Sequence, residues 1–205
     1  MIAIIDYGVG NLFSLTSSFA KIGAQVVVTS DADVIAVSDR LILPGVGAFE
    51  DAAAKLRASG LDKVLCAEVA KGKPLMGICL GMQMLFEKSY EYGEHEGLGL
   101  IKGSVVPMKG SIPEDLKIPH IGWNALHFVG EKDGLFRYVD EGDFVYFVHS
   151  YYGVNGDGAI IATTEYGKEL CAAVRQGNVM GCQFHPEKSG KVGLAILKAF
   201  CEIGE

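Results

Sequence analysis

A glycine-flanked cysteine, in the segment Gly-Ile-Cys-Leu-Gly at residues 77–81, is the first feature of the sequence that could do chemistry. An apolar run precedes Cys79 and a helical pattern follows it, which predicts a strand-to-helix turn where α/β enzymes can expose a nucleophile. Glycine neighbours permit the tight backbone of such a turn, and the N-terminus of a helix favours a thiolate. The alternative is that Cys79 is a small buried apolar residue, the usual environment of a cysteine.

The tripeptide His185-Pro186-Glu187 could supply a base and a carboxylate that orients it. Because Pro186 disfavours helix at the residue before it, we expect an extended tripeptide whose first and third side chains project to one side. Glu187 could then accept the Nδ1 proton of His185 and leave Nε2 facing a nucleophile. The alternative is a solvated loop without chemistry. Both this segment and Cys79 follow predicted strands, and open α/β sheets place their sites at that edge.

Two glycine-rich turns follow predicted strands near the N-terminus. Pro44-Gly45-Val46-Gly47 could point backbone N–H groups at a developing oxyanion, although a plain strand-to-helix turn is the alternative. Gly8-Val9-Gly10 resembles half of a dinucleotide fingerprint, but Phe13 stands where the third glycine is required. A dinucleotide site is therefore not expected.

The elements that must position these residues follow from hydrophobic periodicity. Buried strands are predicted at residues 2–6, 25–29, 40–43 and 74–79, and they alternate with predicted helices. The first helix is expected at residues 12–22, with Asn11 as its N-cap and Gly23 at its C-terminal end. A second helix is expected to run through Ala54 and Leu56, and two more are expected at residues 61–71 and 80–88. Such alternation predicts a parallel sheet covered on both faces.

The second half of the chain is predicted to be richer in short strands. They are expected at residues 102–108, 120–128, 143–151, 159–165, 170–176 and 178–185, before a final amphipathic helix at about 190–203. We find no internal repeat and no linker-like tract, so the sheet is expected to run through both halves of one domain, residues 1–205.

Composition excludes several classes of protein. A net charge of −7 has the wrong sign for a surface that tracks nucleic-acid phosphates. The five cysteines are odd in number and form no C-x-x-C pair, and the histidines lack metal-ligand spacing, so no disulfide framework, metal or cofactor is expected. No stretch approaches the roughly 18 apolar residues of a membrane span. The odd number of scattered cysteines is typical of a protein in a reducing cytoplasm.

The segments Gly-Ile-Cys-Leu-Gly-Met-Gln at 77–83 and Phe-His-Pro-Glu at 184–187 resemble the class I, or triad, glutamine amidotransferases. Within that family, the segments at 6–11, 44–49, 119–124 and 147–151 resemble the glutaminase subunits of imidazole-glycerol-phosphate synthases, and the similarity covers nearly the whole chain. Cys182 and Gly190 depart from the pattern, and Cys182 is expected to face away from His185 along an extended strand.

The resemblance implies a flavodoxin-like α/β fold, the class I glutamine amidotransferase fold, with a mixed, mostly parallel central sheet and helices on both faces. It implies that Cys79 attacks the side-chain amide of L-glutamine, that His185 passes a proton to the departing ammonia, and that Glu187 orients His185. The implied oxyanion hole comprises the backbone of Gly45, Val46, Gly47 and Leu80, with the N–H groups of Val46 and Leu80 as donors. The implied glutamine-binding residues are Gln83, Glu91, Ser150 and Tyr151.

The resemblance also implies a partner, because ammonia released into water would be protonated. That partner is a (β/α)₈-barrel cyclase subunit, which uses the ammonia to make imidazole glycerol phosphate and aminoimidazole-carboxamide ribotide in histidine biosynthesis. Trp123 and Asn124 are expected to face it, and glutaminase activity is expected to be low without it. The alternatives are a glutaminase subunit for anthranilate, aminodeoxychorismate or pyridoxal phosphate synthesis, which the Pro-His-Ile-Gly-Trp-Asn segment disfavours, a cysteine hydrolase or redox sensor on a related fold, and a non-catalytic binding module.

Overall fold

Strands and helices alternate through the first half of the chain in the computed structural model, which describes residues 1–154, 156 and 158–204. The strands are β1 (Ile2–Ile5), β2 (Val26–Thr29), β3 (Arg40–Leu43), β4 (Leu75–Ile78), β5 (Phe86–Ser89), β6 (His95–Glu96), β7 (Ile101–Pro107), β8 (His120–Ala125), β9 (His127–Phe128), β10 (Phe144–His149), β11 (Tyr151–Val154), β12 (Ile160–Glu165), β13 (Glu169–Gln176) and β14 (Val179–Cys182). The helices are α1 (Leu12–Lys21), α2 (Ala32–Val37), α3 (Phe49–Ala58), α4 (Leu61–Ala70), α5 (Leu80–Leu85) and α6 (Gly190–Glu202).

The central sheet has eight strands in the order β2-β1-β3-β4-β14-β13-β12-β9. Neighbours from β2 to β14 are parallel, and β13, β12 and β9 extend the sheet with antiparallel pairing. Strands from both halves of the chain therefore share one sheet, which confirms the predicted mixed, mostly parallel architecture.

Two apolar layers cover this sheet because successive strand side chains point to opposite faces. On one face, Ile5 and Leu43 pack with buried side chains of α2 to α5, including Phe49. On the other face, Ile4 packs with buried side chains of α1 and α6, including Phe19. Burial on both sides explains why the parallel strands are continuous apolar runs rather than alternating ones.

The first helix begins and ends as the sequence predicts. The side chain of Asn11 accepts a hydrogen bond from the N–H of Ser14 at 3.3 Å, and Gly23 follows the helix with a φ of +75°. A side-chain oxygen before a helix satisfies one of its free N–H groups, and glycine adopts a positive φ at little steric cost. No helix in the described part of the chain is long and apolar enough to cross a membrane.

The predicted helix at residues 80–88 is wrong beyond Leu85, because Phe86–Ser89 form β5. This strand pairs with β6 and β7 in a four-stranded sheet with β11. The ring of Phe86 is fully buried against Gly153, where a Cβ would overlap it. Pairing partners that come later in the chain therefore override the local helical pattern. The short helix α2 is a second element that the periodicity did not predict.

Candidate active site

Cys79 lies at a strand-to-helix turn, between the last residue of β4 and the first residue of α5, as predicted. Its backbone has a φ of 55° and a ψ of −112°, a conformation that is strained for any residue with a side chain. The Cys79 N–H donates to the carbonyl oxygen of Cys182 at 2.8 Å, which ties the turn to β14. A Cβ at Gly81 would overlap the carbonyl oxygen of Leu43, so the following helix can approach the sheet only at glycine.

His185 and Glu187 are held together behind the turn of Cys79. His185 Nδ1 lies 2.7 Å from Glu187 Oε1, and only 3% and 2% of the two side chains are exposed. The tripeptide is not extended as predicted, because Pro186–Lys188 form a 3-10 turn. Proline fits the first position of such a turn, since its fixed φ is compatible and its missing N–H has no partner there. The His185 N–H donates to the carbonyl oxygen of Tyr146 at 2.9 Å.

The charge state of His185 is set by its two neighbours. Burial of the imidazole lowers its pKa, but hydrogen bonds with Cys79 and Glu187, and the negative charges of both, raise the pKa of His185 to about 9. The imidazole is therefore protonated at neutral pH when Cys79 carries a negative charge. A protonated imidazole beside a cysteine can stabilise the thiolate, which is the nucleophilic form.

Cys182 is the last residue of β14 and is fully buried. The prediction that it faces away from His185 assumes one extended strand, whereas β14 ends at Cys182. Burial, followed by the negative charges of Glu187 and Cys79, raises the pKa of the fully buried Cys182 well above its usual value. Cys182 therefore stays a neutral thiol, and it cannot act as a competing nucleophile.

A cleft of about 300 Å³ brings together residues that are far apart in sequence. Nine of the predicted site residues line it, namely Val46, Gly47, Cys79, Leu80, Gln83, Glu91, Ser150, Tyr151 and His185. Of the remaining predicted residues, Gly45 packs behind the cleft wall against α5 and Glu187 lies behind His185. The volume suits a small substrate, and the polar lining suits one with several charged groups.

Residues 44–48, which we call the oxyanion loop, are fixed at their first two positions. The hydroxyl of Tyr7 donates to the carbonyl oxygen of Pro44 at 2.7 Å. Burial, assisted by the charge of Cys79, raises the pKa of Tyr7, so this hydroxyl keeps its proton. A Cβ at Gly45 would lie 2.6 Å from the backbone nitrogen of Gly81, so this part of the loop packs directly on α5.

The middle of the oxyanion loop is more exposed to solvent than its first two residues. Val46 is 43% exposed, and Gly47 has a φ of +91° with no heavy atom within 4 Å of an added Cβ. The N–H of Leu80, at the first position of α5, has no acceptor one turn earlier within its helix. Val46 and Leu80 both line the cleft together with Cys79.

Gln83 connects the cleft wall to the nucleophile. Its Nε2 donates to the carbonyl oxygen of Tyr151 at 3.1 Å and to Oε1 of Gln183 at 3.0 Å. Nε2 of Gln183 in turn lies 3.9 Å from Sγ of Cys79. These contacts hold α5, β11 and the residue after β14 in one register around the thiol. Gln183 is not among the predicted site residues, although a polar residue inside a buried apolar run is a signal for such a role.

Glu91 lines the cleft from the loop between β5 and β6. Its Oε2 accepts a hydrogen bond from the N–H of Phe49, the first residue of α3, at 2.6 Å. Burial and then the charge of Glu91 raise the pKa of the neighbouring Tyr151 hydroxyl. The carboxylate therefore provides a negative charge close to Ser150 and Tyr151, which can attract an ammonium group.

Two buried histidines form part of the wall behind Tyr151. His149 Nδ1 lies 2.8 Å from the carbonyl oxygen of Tyr151, and its Nε2 lies 3.1 Å from Nδ1 of His120. Burial, with smaller contributions from the nearby His120 and His185, lowers the pKa of His149 to about 3 despite the hydrogen bond to the Tyr151 carbonyl. His149 is therefore neutral at physiological pH, and it supports the backbone at Tyr151 without adding a charge to the cleft.

The structure separates Trp123 from Asn124, which the sequence predicts to face one partner. In the antiparallel pair of β8 and β10, Trp123 lies opposite Tyr146 on the outer face and is 51% exposed. Asn124 lies on the inner face, where its Oδ1 is 2.8 Å from His120 Nε2 and its Nδ2 donates to the carbonyl oxygen of Glu165. The Asn124 side chain therefore supports the histidine pair, whereas Trp123 is available to another molecule.

Four further residues line the cleft without having been predicted, namely Pro119, Val148, His149 and Lys188. Pro119, Val148 and His149 belong to the segments that carried the family resemblance, and Lys188 directly follows Glu187. Position in those segments was the available signal. In the parts of the chain that the structure describes, no group of three or more histidine, cysteine or acidic side chains could hold a metal ion.

The chain is similar over nearly its whole length to one protein family and to individual proteins of known name. The family described as Glutamine amidotransferase class-I matches residues 3–203. The chain is 49% identical over 204 residues to the imidazole glycerol phosphate synthase subunit HisH of Syntrophotalea carbinolica, covering 98% of both chains. It is 52% identical over 202 residues to the protein of the same name from Sulfurimonas denitrificans, covering 98% of this chain and 97% of that one.

Solved structures show the same fold at much lower sequence identity. The structure of PurLQS from Thermotoga maritima superimposes with a TM-score of 0.75 at 19% identity and covers 100% of this chain and 98% of that chain. This likeness supports the eight-stranded architecture described above.

Proposed function

Because this chain belongs to the class I glutamine amidotransferase family, we propose that it hydrolyses L-glutamine and delivers the ammonia to a cyclase subunit of imidazole glycerol phosphate synthase, in histidine biosynthesis. We propose that residues 1–205 work as one glutaminase domain. The observation that carries the proposal is the buried His185–Glu187 pair beside the strained turn of Cys79, within one cleft. The two HisH relatives, about half of whose residues are identical over nearly the full length of both chains, support imidazole glycerol phosphate synthase over the other amidotransferases.

The first step is attack by the Cys79 thiolate on the side-chain amide carbon of glutamine. The carbonyl oxygen becomes an oxyanion, and the N–H groups of Val46 and Leu80 stabilise it together with the N-terminus of α5. Gly45 lets the loop pack directly on α5, and Gly47 adopts a positive φ beside the cleft, so both glycines shape the backbone around Val46. The strained backbone at Cys79 holds the thiol at the end of the strand, where the substrate can reach it.

His185 moves the protons. Its imidazolium donates a proton to the amide nitrogen as the C–N bond breaks, so ammonia leaves and a γ-glutamyl thioester remains on Cys79. Neutral His185 then takes a proton from the water that attacks the thioester, and glutamate leaves as the thiolate re-forms. Glu187 accepts a hydrogen bond from the Nδ1–H group throughout, which keeps Nε2 directed at the sulfur and stabilises the imidazolium.

The amino-acid end of glutamine is bound by the polar wall of the cleft. The Glu91 carboxylate attracts the α-ammonium group, while the backbone of Ser150 and Tyr151 and the amide of Gln83 contact the rest of the substrate. The hydrogen bonds of Gln83 and His149 to the Tyr151 carbonyl fix this wall before substrate arrives. Such preorganisation reduces the cost of ordering the site.

We propose that the partner is a (β/α)₈-barrel cyclase and that it docks on the outer face of β8 and β10. Side chains on that face are large, apolar and exposed, namely Ile121, Trp123 and Phe144. A cluster of this kind is typical of an interaction surface. The Tyr146 ring contacts Trp123, and Lys188 Nζ lies 5.9 Å from the centroid of that ring. Lys188 also lines the cleft, so the docking face is continuous with the site. Since the reaction requires Cys79 as a thiol, we place the enzyme in the reducing cytoplasm.

The experiment that tests this function is a glutamate-release assay on the chain alone, with the cyclase subunit, and with the cyclase and its nucleotide substrate. We expect slow hydrolysis by the chain alone and strong stimulation by the full complex. Cys79→Ala and His185→Ala should abolish glutamate release while retaining cyclase binding. Full activity without the cyclase, or an active Cys79→Ala protein, would contradict the proposal.

A further inference from the structure

The N-terminus of α3 depends on a side chain from a distant part of the chain. Ala48 precedes the helix in an extended conformation and has no side-chain oxygen that could accept from the first turn. The N–H of Phe49 instead donates to Oε2 of Glu91 at 2.6 Å. A carboxylate at this position interacts with both the free N–H and the helix dipole, so Glu91 acts as an external cap for α3.

This cap sits at the second end of the oxyanion loop. The first end is fixed by the Tyr7 hydroxyl on Pro44 and by the packing of Gly45 on α5. Phe49 comes directly after the loop, and its ring is fully buried in the core. Between these two ends, Val46 is exposed and Gly47 lies in open space. The position of the Val46 N–H is therefore set by how firmly both ends of the loop are held.

The same carboxylate also belongs to the substrate cleft. Glu91 lines the cleft with Ser150, Tyr151 and Gln83. After burial, its negative charge is the next contribution to the raised pKa of the Tyr151 hydroxyl. A carboxylate has two oxygens and about four acceptor sites, so it can hold the Phe49 N–H and an ammonium group together. One side chain thus connects the part of the cleft that binds the substrate's charge with the part that receives the oxyanion.

We propose that Glu91 is a positioning residue for the oxyanion loop, in addition to its contact with the substrate ammonium group. Through the Phe49 N–H it holds the loop so that the Val46 N–H is directed at the reacting carbonyl. This inference rests on the proposed glutaminase function. It predicts that loss of Glu91 slows turnover of a substrate that has no ammonium group for Glu91 to bind.

The test compares glutamine with glutaramate, which is glutamine without its α-amino group, in the complex with cyclase and nucleotide. Glu91→Gln keeps an oxygen that can accept from Phe49 but loses the charge. We expect it to raise the KM for glutamine at least about 10-fold, since a charged contact is lost, and to lower glutaramate kcat by less than Glu91→Ala does. Glu91→Ala removes the cap, and we expect it to lower kcat for both substrates by about 10- to 100-fold, toward the loss caused by removing an oxyanion donor.

One outcome would overturn the role of Glu91, and a different outcome would overturn the proposed glutaminase function. If Glu91→Ala hydrolyses glutaramate at the wild-type rate, Glu91 serves only as a binding group and the proposal is overturned. If the wild-type complex does not hydrolyse glutamine at all, the proposed function itself fails, which is a separate result.

A rescue variant keeps the test valid if Glu91→Ala folds poorly. Ala48 already has the extended conformation of an N-cap, so Ala48→Asp supplies a new carboxylate to the first turn of α3. In the Ala48→Asp/Glu91→Ala double variant we expect glutaramate kcat to recover to within about threefold of wild type, while the KM for glutamine stays high. A double variant that folds but turns over glutaramate no faster than about one-tenth of the wild-type rate would refute the loop-anchoring role.

Discussion

Oε1 of Glu187 lies 2.7 Å from Nδ1 of His185, across a proline and with both side chains almost fully buried. The contact fixes Nδ1 as the proton donor, so Nε2 is the nitrogen that can exchange a proton with Cys79. The 3-10 turn at Pro186–Lys188 brings the carboxylate back to the ring within two residues. Orientation and charge of the imidazole therefore depend on one local turn.

Glu187→Gln is expected to reduce kcat/KM by about 10²- to 10⁴-fold, the range for disrupted general acid–base catalysis. The amide oxygen can still accept a hydrogen bond from Nδ1–H, but the variant lacks the negative charge that stabilises the imidazolium. The pKa of His185, about 9 in the native site, should fall, and the alkaline limb of the pH profile of kcat/KM should move to lower pH. The profile, measured from pH 6 to 10, checks this.

Glu141→Gln is the matched control for that substitution. Glu141 lies 3.0 Å from His127 in an exposed histidine–carboxylate pair away from the cleft. Its removal should leave both the rate and the pH profile unchanged. An unshifted alkaline limb in Glu187→Gln would show that Glu187 does not control the charge of His185.

Cys79→Gly is expected to be more stable than Cys79→Ala by about 1 kcal/mol, because only glycine adopts the positive φ at Cys79 without strain. Both variants lack the sulfur and should be inactive, so a difference in their stability reports backbone strain alone. Chemical denaturation of the two variants measures the difference in free energy of unfolding. Equal stabilities would mean that the turn stores no strain.

Gly81→Ala is expected to destabilise the fold by about 3 kcal/mol, because its Cβ would overlap the Leu43 carbonyl and push α5 away from β3. Gly47→Ala is the matched comparison, since Gly47 has a positive φ but open space around it. Strain alone should cost it about 1 kcal/mol. Urea titrations of both variants test the order, and a Gly47→Ala loss as large as that of Gly81→Ala would contradict it.

His149 should make stability fall in acid. Burial holds its pKa at about 3, whereas a free histidine titrates near 6.5, so between these values the unfolded chain binds the extra proton. The contribution is complete above about pH 6.5 and decreases by up to about 1.4 kcal/mol per pH unit as the pH falls. The free energy of unfolding of wild type and His149→Gln, measured from pH 4.5 to 7.5, should converge at the acid end. The exposed His127→Gln provides the control, and parallel curves for wild type and His149→Gln would argue against this account.

Trp123→Ala is expected to weaken binding of the cyclase subunit by about 2 kcal/mol or more, the cost of removing a central aromatic contact, without lowering the stability of the chain. Trp123 is 51% exposed on the outer face of β8, so it contributes little to the core. Tyr138→Ala serves as control, because Tyr138 is similarly exposed but its hydroxyl donates to Glu202 at the end of α6. Calorimetric titration with the cyclase measures both, and equal affinities would remove Trp123 from the interface.

Much of the fold and site was predictable from the sequence because the signals are local. The apolar runs before Pro44, Cys79 and the His185 segment predict buried strands, and glycine at fixed offsets predicts the tight turns after them. Since parallel strands end at one edge of a sheet, the candidate residues were expected to meet there. The similarity to class I glutamine amidotransferases was also evident from these segments and is confirmed by the family match over residues 3–203.

The remaining features depend on contacts between distant segments. The end of α5 at Leu85, the inward orientation of Asn124 toward His120 and the Glu91 cap on Phe49 each join residues that no local pattern relates. Hydrogen bonds and burial formed on folding outweigh local propensities of a few tenths of a kcal/mol. Local residue patterns thus identify the groups that could react, whereas contacts between distant segments specify which groups hold them in place.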